Sequence, residues 1–389
     1  MRITAIRERA IGLHGDVANA VVDFSRHTVS LVALVSDHRI DGKPLYGVAF
    51  NSIGRYAQSG ILRERLIPRV LAAEPSSLLN AEGTALDPAA VARAAMRDEK
   101  PGGHGDRAGA VATLELAAWD LNARLAGVPA CHHIARTLGL PLPGEGVPVY
   151  AAGGYYYPDD SLGRLRDELR RYRDQGYQSF KIKIGGASLA TDLRRVEAAI
   201  EVAGAAEHVA VDANGRFDRT QARTWGEALK PYGLRWFEEP VDPLDYAAMA
   251  ELAQGYDGPL ATGENLFSAV DAHNLVTFAG LRPARDILQM DPGLSYGLTE
   301  YLQTIRHVES VGFDRAHCVP HGGHLINLHL VTALGLGGCE AYPGVFQPFG
   351  GYPAACAVRD GRVRPSTAVG FGLEEKAELA PHIADLLES

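Results

Sequence analysis

Residues 179–215, "SFKIKIGGASLATDLRRVEAAIEVAGAAEHVAVDANG", run from a short apolar strand through a charged amphipathic helix to a second short strand. Two strands joined by a helix are expected to pair in parallel, as a βαβ unit. In the first strand Lys181 and Lys183 are two apart and so share a face. Neighbouring ammonium groups repel, and a strand inside a barrel has no solvated face for them. The pair therefore needs another reason to be there.

Working outward, the same rhythm recurs. After the Pro/Gly-rich "PLPGEG", "VPVYAAGG" precedes "LGRLRDELRRYRDQG". Downstream, "LRWFEEP", "PLATGEN", "DILQMDPG" and "RAHCVPHGG" each precede a helical stretch, and "CEAYPG" closes the series near residue 345. So many strand–helix units in succession favour a closed α/β barrel over an open doubly wound sheet. Before the linker, the strand-like "HTVSLVALVSD" and "KPLYGVAF" precede Ala- and Leu-rich helices over 107–138 that break at "GVP". Strands followed by helices suggest a separate α+β domain. The expected organisation is an α+β domain over 1–135, the barrel over 145–345, and loops with short strands over 346–389.

The 389 residues are 46% apolar and 22% charged, an ordinary folded composition. A net charge of −9 argues against non-specific binding to nucleic acid or an anionic membrane. Apolar runs such as "VSLVALV" fall well short of the roughly 18 residues of a membrane span. "MRITAIRERAIGL" carries arginines where a signal peptide would be continuously apolar. Cys131, Cys318, Cys339 and Cys356 are scattered, with no CxxC, as expected of reduced thiols in a cytoplasmic protein.

In such a barrel, function sits where strands end. Asp212 ends "HVAVD", Glu238 ends "LRWFE" and Glu264 ends "PLATGE", at equal spacing along the chain. Three neighbouring strands would then bring three carboxylates to one rim. Acidic residues at helix starts are often N-caps, but Glu is a poor cap and the regularity points elsewhere. Three like charges need a counter-charge, and an all-oxygen set favours Mg2+, with Mn2+ as the alternative, over zinc. Lys181 and Lys183 end the preceding strand, beside that ion. A lysine acts as a base near neutral pH when a neighbouring cation lowers its pKa. On the other side, Asp291 and His321 lie one unit apart and can form a carboxylate–imidazole pair. His317, His321 and His324 invite a zinc reading, but the first barrel strand lacks the HxH of zinc hydrolases on this barrel.

The KxK of Lys181 and Lys183, Asp212 in "VDANG", Glu238 in "WFEEP", Glu264 in "TGEN", Asp291, and His321 in "PHGG" together resemble the enolase superfamily, mandelate racemase subgroup. Such sites pair a Lys or His base with Mg2+. The muconate-lactonising subgroup would place a lysine at Asp291, and the glucarate dehydratase pattern an Asn at Glu264. The resemblance implies a modified (β/α)7β barrel with an N-terminal α+β capping domain and a C-terminal segment returning to the cap. It implies Mg2+ on Asp212, Glu238 and Glu264, with Lys183 and His321 as the acid/base pair. Lys181 would neutralise a substrate carboxylate, and Glu340 would hydrogen-bond one of its oxygens. Cap loops closing on the barrel mouth would select the substrate. Their candidates are His14, Asn19, Asn51, Arg55, Lys100 and Tyr156, with Asn214 on the barrel side. The activity so implied is dehydration of a small hydroxy-dicarboxylate, D-tartrate to oxaloacetate, by a homo-oligomer. Dehydration of a longer acid sugar and racemisation are the alternatives.

Overall fold

The computed structural model describes the chain except residues 16, 143, 145, 158–160 and 389. Two positions of "PLPGEG" thus lie outside the described residues, as do Asp16 in "GLHGDVAN" and Pro158 in "GGYYYP".

Strands β1 (Ile3–Gly12), β2 (Thr28–Ile40) and β3 (Lys43–Phe50) form an antiparallel sheet in that order. Asp41 and Gly42, at φ 50° and 77°, turn β2 into β3. An Asp-Gly pair adopts that conformation readily in a two-residue hairpin. The helix Asp106–Leu125 lies on the sheet and is buried from Arg107 to Ala123. It can approach so closely because β3 carries Gly47, where a Cβ would come within 2.1 Å of the Ala117 carbonyl oxygen. Pro129 then starts the helix Ala130–Thr137, after the expected break at "GVP".

The second sheet is the barrel: β4 (Val147–Ala152), β5 (Phe180–Lys183), β6 (Val209–Asp212), β7 (Trp236–Glu238), β8 (Leu260–Thr262), β9 (Ile287–Leu288) and β10 (Cys339–Ala341). Successive strands from β4 to β9 pair in parallel, and β10 returns to pair with β4. The remaining position is a single bridge, Leu288 to Cys318. Beyond it, Val319 N–H donates to the Leu288 carbonyl at 2.9 Å and His321 N–H to the Gln289 carbonyl at 3.2 Å. Gly337 N–H donates to the Cys318 carbonyl at 3.0 Å and links this position towards β10. Among the described residues seven helices follow the strands, from Leu162–Asp174 to Leu325–Leu334, giving the expected (β/α)7β pattern. Phe180 and Ile182 of β5 pack in the main apolar core, whereas Tyr150, Ala210, Trp236, Ala261 and Val319 form a separate cluster. The period of two along β5 thus turns both lysines away from that main core.

Cap and barrel are tied by buried polar contacts. Glu115 accepts hydrogen bonds from Leu298 N–H, Thr299 N–H and the Thr299 hydroxyl at 3.0, 3.0 and 2.7 Å, so a cap-helix side chain satisfies the start of the barrel helix Leu298–Ser310. Asp120 accepts from Val48 N–H and Phe371 N–H, joining β3 to the C-terminal segment. That segment reaches β1 through the Arg9–Asp385 ion pair. No helix among the described residues is long and apolar enough to cross a membrane.

His329, on Leu325–Leu334, accepts the Cys131 N–H at Nδ1 (3.2 Å) and meets the Phe371 ring edge-on. Burial holds its pKa down at about 3, against 6.5 for a free imidazole. The unfolded chain therefore binds a proton that the fold refuses. Stability present above pH 6.5 is lost as pH falls towards 3, by about 2 kcal/mol from this residue at pH 5. Urea unfolding at pH 7 and pH 5 should show that loss, and His329→Gln should remove its share.

Candidate active site

The strand ends converge on a cavity of about 160 Å3. Parallel pairing puts Lys183 beside Asp212 and Asp212 beside Glu238. Glu264 lies beyond the end of β8, past Gly263 at φ 126°, so equal sequence spacing does not put it in the same layer. The three carboxylates nevertheless each present an oxygen within 4.8 Å of the others. They are not helix caps: Asp218, Asp245 and Ser268 cap the helices that follow.

Charge is concentrated here. Lys183 Nζ lies 2.5 Å from Asp212 Oδ2. Lys181 Nζ is enclosed by Glu238 at 2.5 Å, Glu340 at 2.8 Å and Asp212 at 3.6 Å. Burial disfavours its charge, but these carboxylates outweigh that and hold its pKa well above the usual lysine value. Burial also opposes ionisation of Asp212, yet Lys183 and Lys181 bring its pKa to about 2. Glu238 is pushed up to about 8 by burial and by Asp212, although Trp236 Nε1 and Gln289 Nε2 both donate to it at 2.8 Å. Glu264 is less committed, with Asn265 Nδ2 at 3.4 Å and His321 Nε2 at 3.7 Å. The site thus gathers more carboxyl groups than its lysines balance. An all-oxygen set with that excess of negative charge fits a hard divalent cation such as Mg2+, which Asp212, Glu238 and Glu264 could hold.

His321 stands at the opposite end of this cluster from Lys183, touching Glu264 where Lys183 touches Asp212. Its Nδ1 lies 3.1 Å from Asp291 Oδ2. Asp291 is fixed in turn by Gly293 N–H at 2.7 Å and Asn327 Nδ2 at 3.0 Å. Burial works against a charged imidazole, but Glu264, the Asp291 hydrogen bond and Glu340 raise its pKa to about 9. Gly322 is required beside the pair. A Cβ there would come within 2.8 Å of Asn327 Nδ2, Ser52 Oγ and Asp291 Oδ2, and its φ is 101°.

Lys183, His321, Glu264, Asn19, Arg55 and Asn214 line the cavity. Lys181 and Glu340 do not; they pair with each other, fully buried. Four cap-loop expectations require correction. Asn51 is wholly buried, accepting from Ser30 N–H at 2.6 Å and donating to the Ser52 carbonyl, so its amide serves the sheet. Tyr156 directs its hydroxyl to Asp192 and Gly186 N–H, while its neighbour Tyr155 lines the cavity. Lys100 is exposed and lies outside the cavity lining, in the loop whose carbonyls hold Arg107. His14 is exposed and bridges to Gln347.

Sequence reasoning missed Glu239, Asn265 and Tyr342. Asn265 Nδ2 lies 2.8 and 2.9 Å from the two oxygens of Glu239, and its Oδ1 accepts from Arg55 of the cap. Burial and Glu264 hold the Glu239 carboxyl well above the usual range. Tyr342 sits between His321 and Glu340. Each of the three lies one or two residues from an expected site residue, inside "WFEEP", "TGEN" and "CEAYP". Adjacency to a strand end was the only signal available for them.

The description "Enolase C-terminal domain-like" matches residues 164–379. L-talarate/galactarate dehydratase of Salmonella typhimurium is 30% identical over 271 residues, 69% of this chain and 64% of that protein. Arabinonate dehydratase of Saccharolobus solfataricus is 31% identical over 231 residues, 58% of each. The chain thus matches about 60% of the length of these relatives. The structure of the Salmonella typhimurium LT2 dehydratase liganded with Mg and L-lyxarohydroxamate superposes with a TM-score of 0.74, at 24% identity, over 94% of this chain and 88% of that one. A racemase from Streptomyces coelicolor A3(2) with bound magnesium superposes with a TM-score of 0.76, at 22% identity, over 98% of each. These two likenesses support the fold; the family match covers more than half of the sequence. The chain belongs to the enolase superfamily, among its mandelate racemase and muconate lactonase-like members.

Proposed function

We propose that the protein is a Mg2+-dependent hydro-lyase of the mandelate racemase subgroup, converting a small hydroxy-dicarboxylate to a 2-keto acid, with D-tartrate to oxaloacetate as the specific reaction. One observation carries the reading: Lys183 and His321 line the same cavity at opposite ends of the Asp212, Glu238 and Glu264 cluster. When bound, Mg2+ would supply positive charge where negative charge builds on the substrate carboxylate as its α-proton leaves. Lys183 Nζ accepts that proton. The electron pair forms the C=C bond as the β C–O bond breaks. His321 Nε2 gives its proton to the departing oxygen, which leaves as water, and the enol ketonises. Asp291 on Nδ1 keeps the other ring nitrogen directed at the substrate. Arg55 lines the cavity from the cap side and would meet the second carboxylate.

The volume of about 160 Å3 favours a short substrate, since pockets for drug-sized ligands run to about 300–1,000 Å3. The relatives favour a second reading, dehydration of a longer acid sugar. Incubation with D-tartrate and Mg2+ should yield oxaloacetate. Keto acids from galactarate, talarate or arabinonate, with none from D-tartrate, would transfer the assignment to the longer acids. Deuterium in recovered substrate of inverted configuration, without keto acid, would identify a racemase. Homo-oligomeric assembly is part of the proposal, to be measured by light scattering.

A further inference from the structure

Tyr342 stands on the path this reading gives to the leaving group. It is buried and lines the cavity. Its hydroxyl lies 3.1 Å from His321 Nε2 and 3.0 Å from Glu340 Oε2. The backbone is pinned by Tyr342 N–H donating to the Gly323 carbonyl at 3.3 Å, and the ring packs edge-on against Phe346.

Counting donors assigns the roles. A tyrosine hydroxyl has one proton to give and lone pairs to accept with. Glu340 Oε2 accepts from Gly322 N–H at 2.9 Å and, as a carboxylate, can only accept. The Tyr342 proton therefore goes to Glu340, and its lone pairs face His321 Nε2. Nε2 is the nitrogen left free, because Nδ1 is held by Asp291.

We infer that Tyr342 is a further catalytic residue, binding the hydroxyl group that leaves. The inference rests on the dehydratase reading. The substrate β-hydroxyl replaces the direct contact of 3.1 Å between Nε2 and the Tyr342 oxygen, accepting from Nε2–H and donating its own proton to Tyr342. Its lone pair is thereby aimed at the acid. When the C–O bond breaks, the oxygen takes the Nε2 proton and departs as water, still donating to Tyr342. Tyr342 and Glu340 end unchanged. The other half of the reaction, α-proton removal by Lys183, does not involve this hydroxyl.

That division supplies the test. Tyr342→Phe keeps the ring against Phe346 and deletes the oxygen. With D-tartrate and Mg2+ in D2O, elimination should fall by about 10- to 100-fold, the cost of one hydrogen bond to a reacting group. Exchange of the α-proton into recovered substrate should stay within about twofold, so the exchange-to-elimination ratio rises. Retained exchange also certifies the fold. If the variant does not fold, fluorinated tyrosine at position 342 keeps the shape and changes hydroxyl acidity, and elimination alone must respond. Equal loss of both reactions, or loss of neither, overturns the role of Tyr342 while leaving the dehydratase reading in place. A wild-type protein that neither exchanges nor eliminates D-tartrate, galactarate, talarate or arabinonate overturns both.

Discussion

Lys183→Ala is expected to lower keto-acid formation by about 1,000-fold, within the range contributed by a positioned general base. The effect should fall on kcat, and α-proton exchange should disappear with it. Lys183 Nζ is the amine that lines the cavity. Lys181, two residues earlier, is locked by Glu238 and Glu340 and cannot take over. Tyr155, whose ring lies 5.2 Å from Nζ, remains to fill part of the space. Asp212 keeps Lys181 at 3.6 Å as a counter-charge, so the variant should fold with lowered stability, which thermal unfolding checks. Retention of more than a tenth of wild-type activity would mean that another group removes the proton.

Asp212→Asn should have the second large effect, on both metal and charge. One carboxylate oxygen accepts Asn214 N–H at 2.8 Å, a bond the amide oxygen can keep. The other oxygen faces Lys183 and Lys181, and an amide cannot balance them. Removing one partner of a buried ion pair costs about 3–5 kcal/mol, because the remaining charge stays buried. It also removes one of three candidate ligands. Even second-layer changes around a metal cost about 10- to 100-fold in affinity, so Mg2+ binding measured calorimetrically should weaken by at least the upper figure. Unchanged Mg2+ affinity would place the ion elsewhere.

How much of this was legible in the sequence depends on what holds each residue. The barrel followed from strand–helix alternation, and the Lys181/Lys183 pair, Asp212 and Glu238 from strand ends, because a period of two fixes which side of a strand a residue faces. Asp291 and His321 could be read only from their place just after strands, since β9 ends at Leu288 and the strand before His321 shrinks to one bridge at Cys318. Asn51, Lys100 and Tyr156 could not. They sit in loops whose direction is set by contacts with distant residues, such as Ser30 for Asn51 and Asp192 for Tyr156. Lys181 was legible in position but not in partner. Its neighbour Glu340 arrives from the last barrel strand, which pairs with β4 and closes the ring. Tyr342, two residues on, was hidden for the same reason.

The claim that one group takes a proton while a separate group releases the hydroxyl is tested most directly by α-proton exchange in D2O with His321→Asn. Deuterium should enter recovered D-tartrate while oxaloacetate is not formed, and the same experiment with Lys183→Ala should give neither. Loss of exchange in His321→Asn, or its survival in Lys183→Ala, would contradict the assignment.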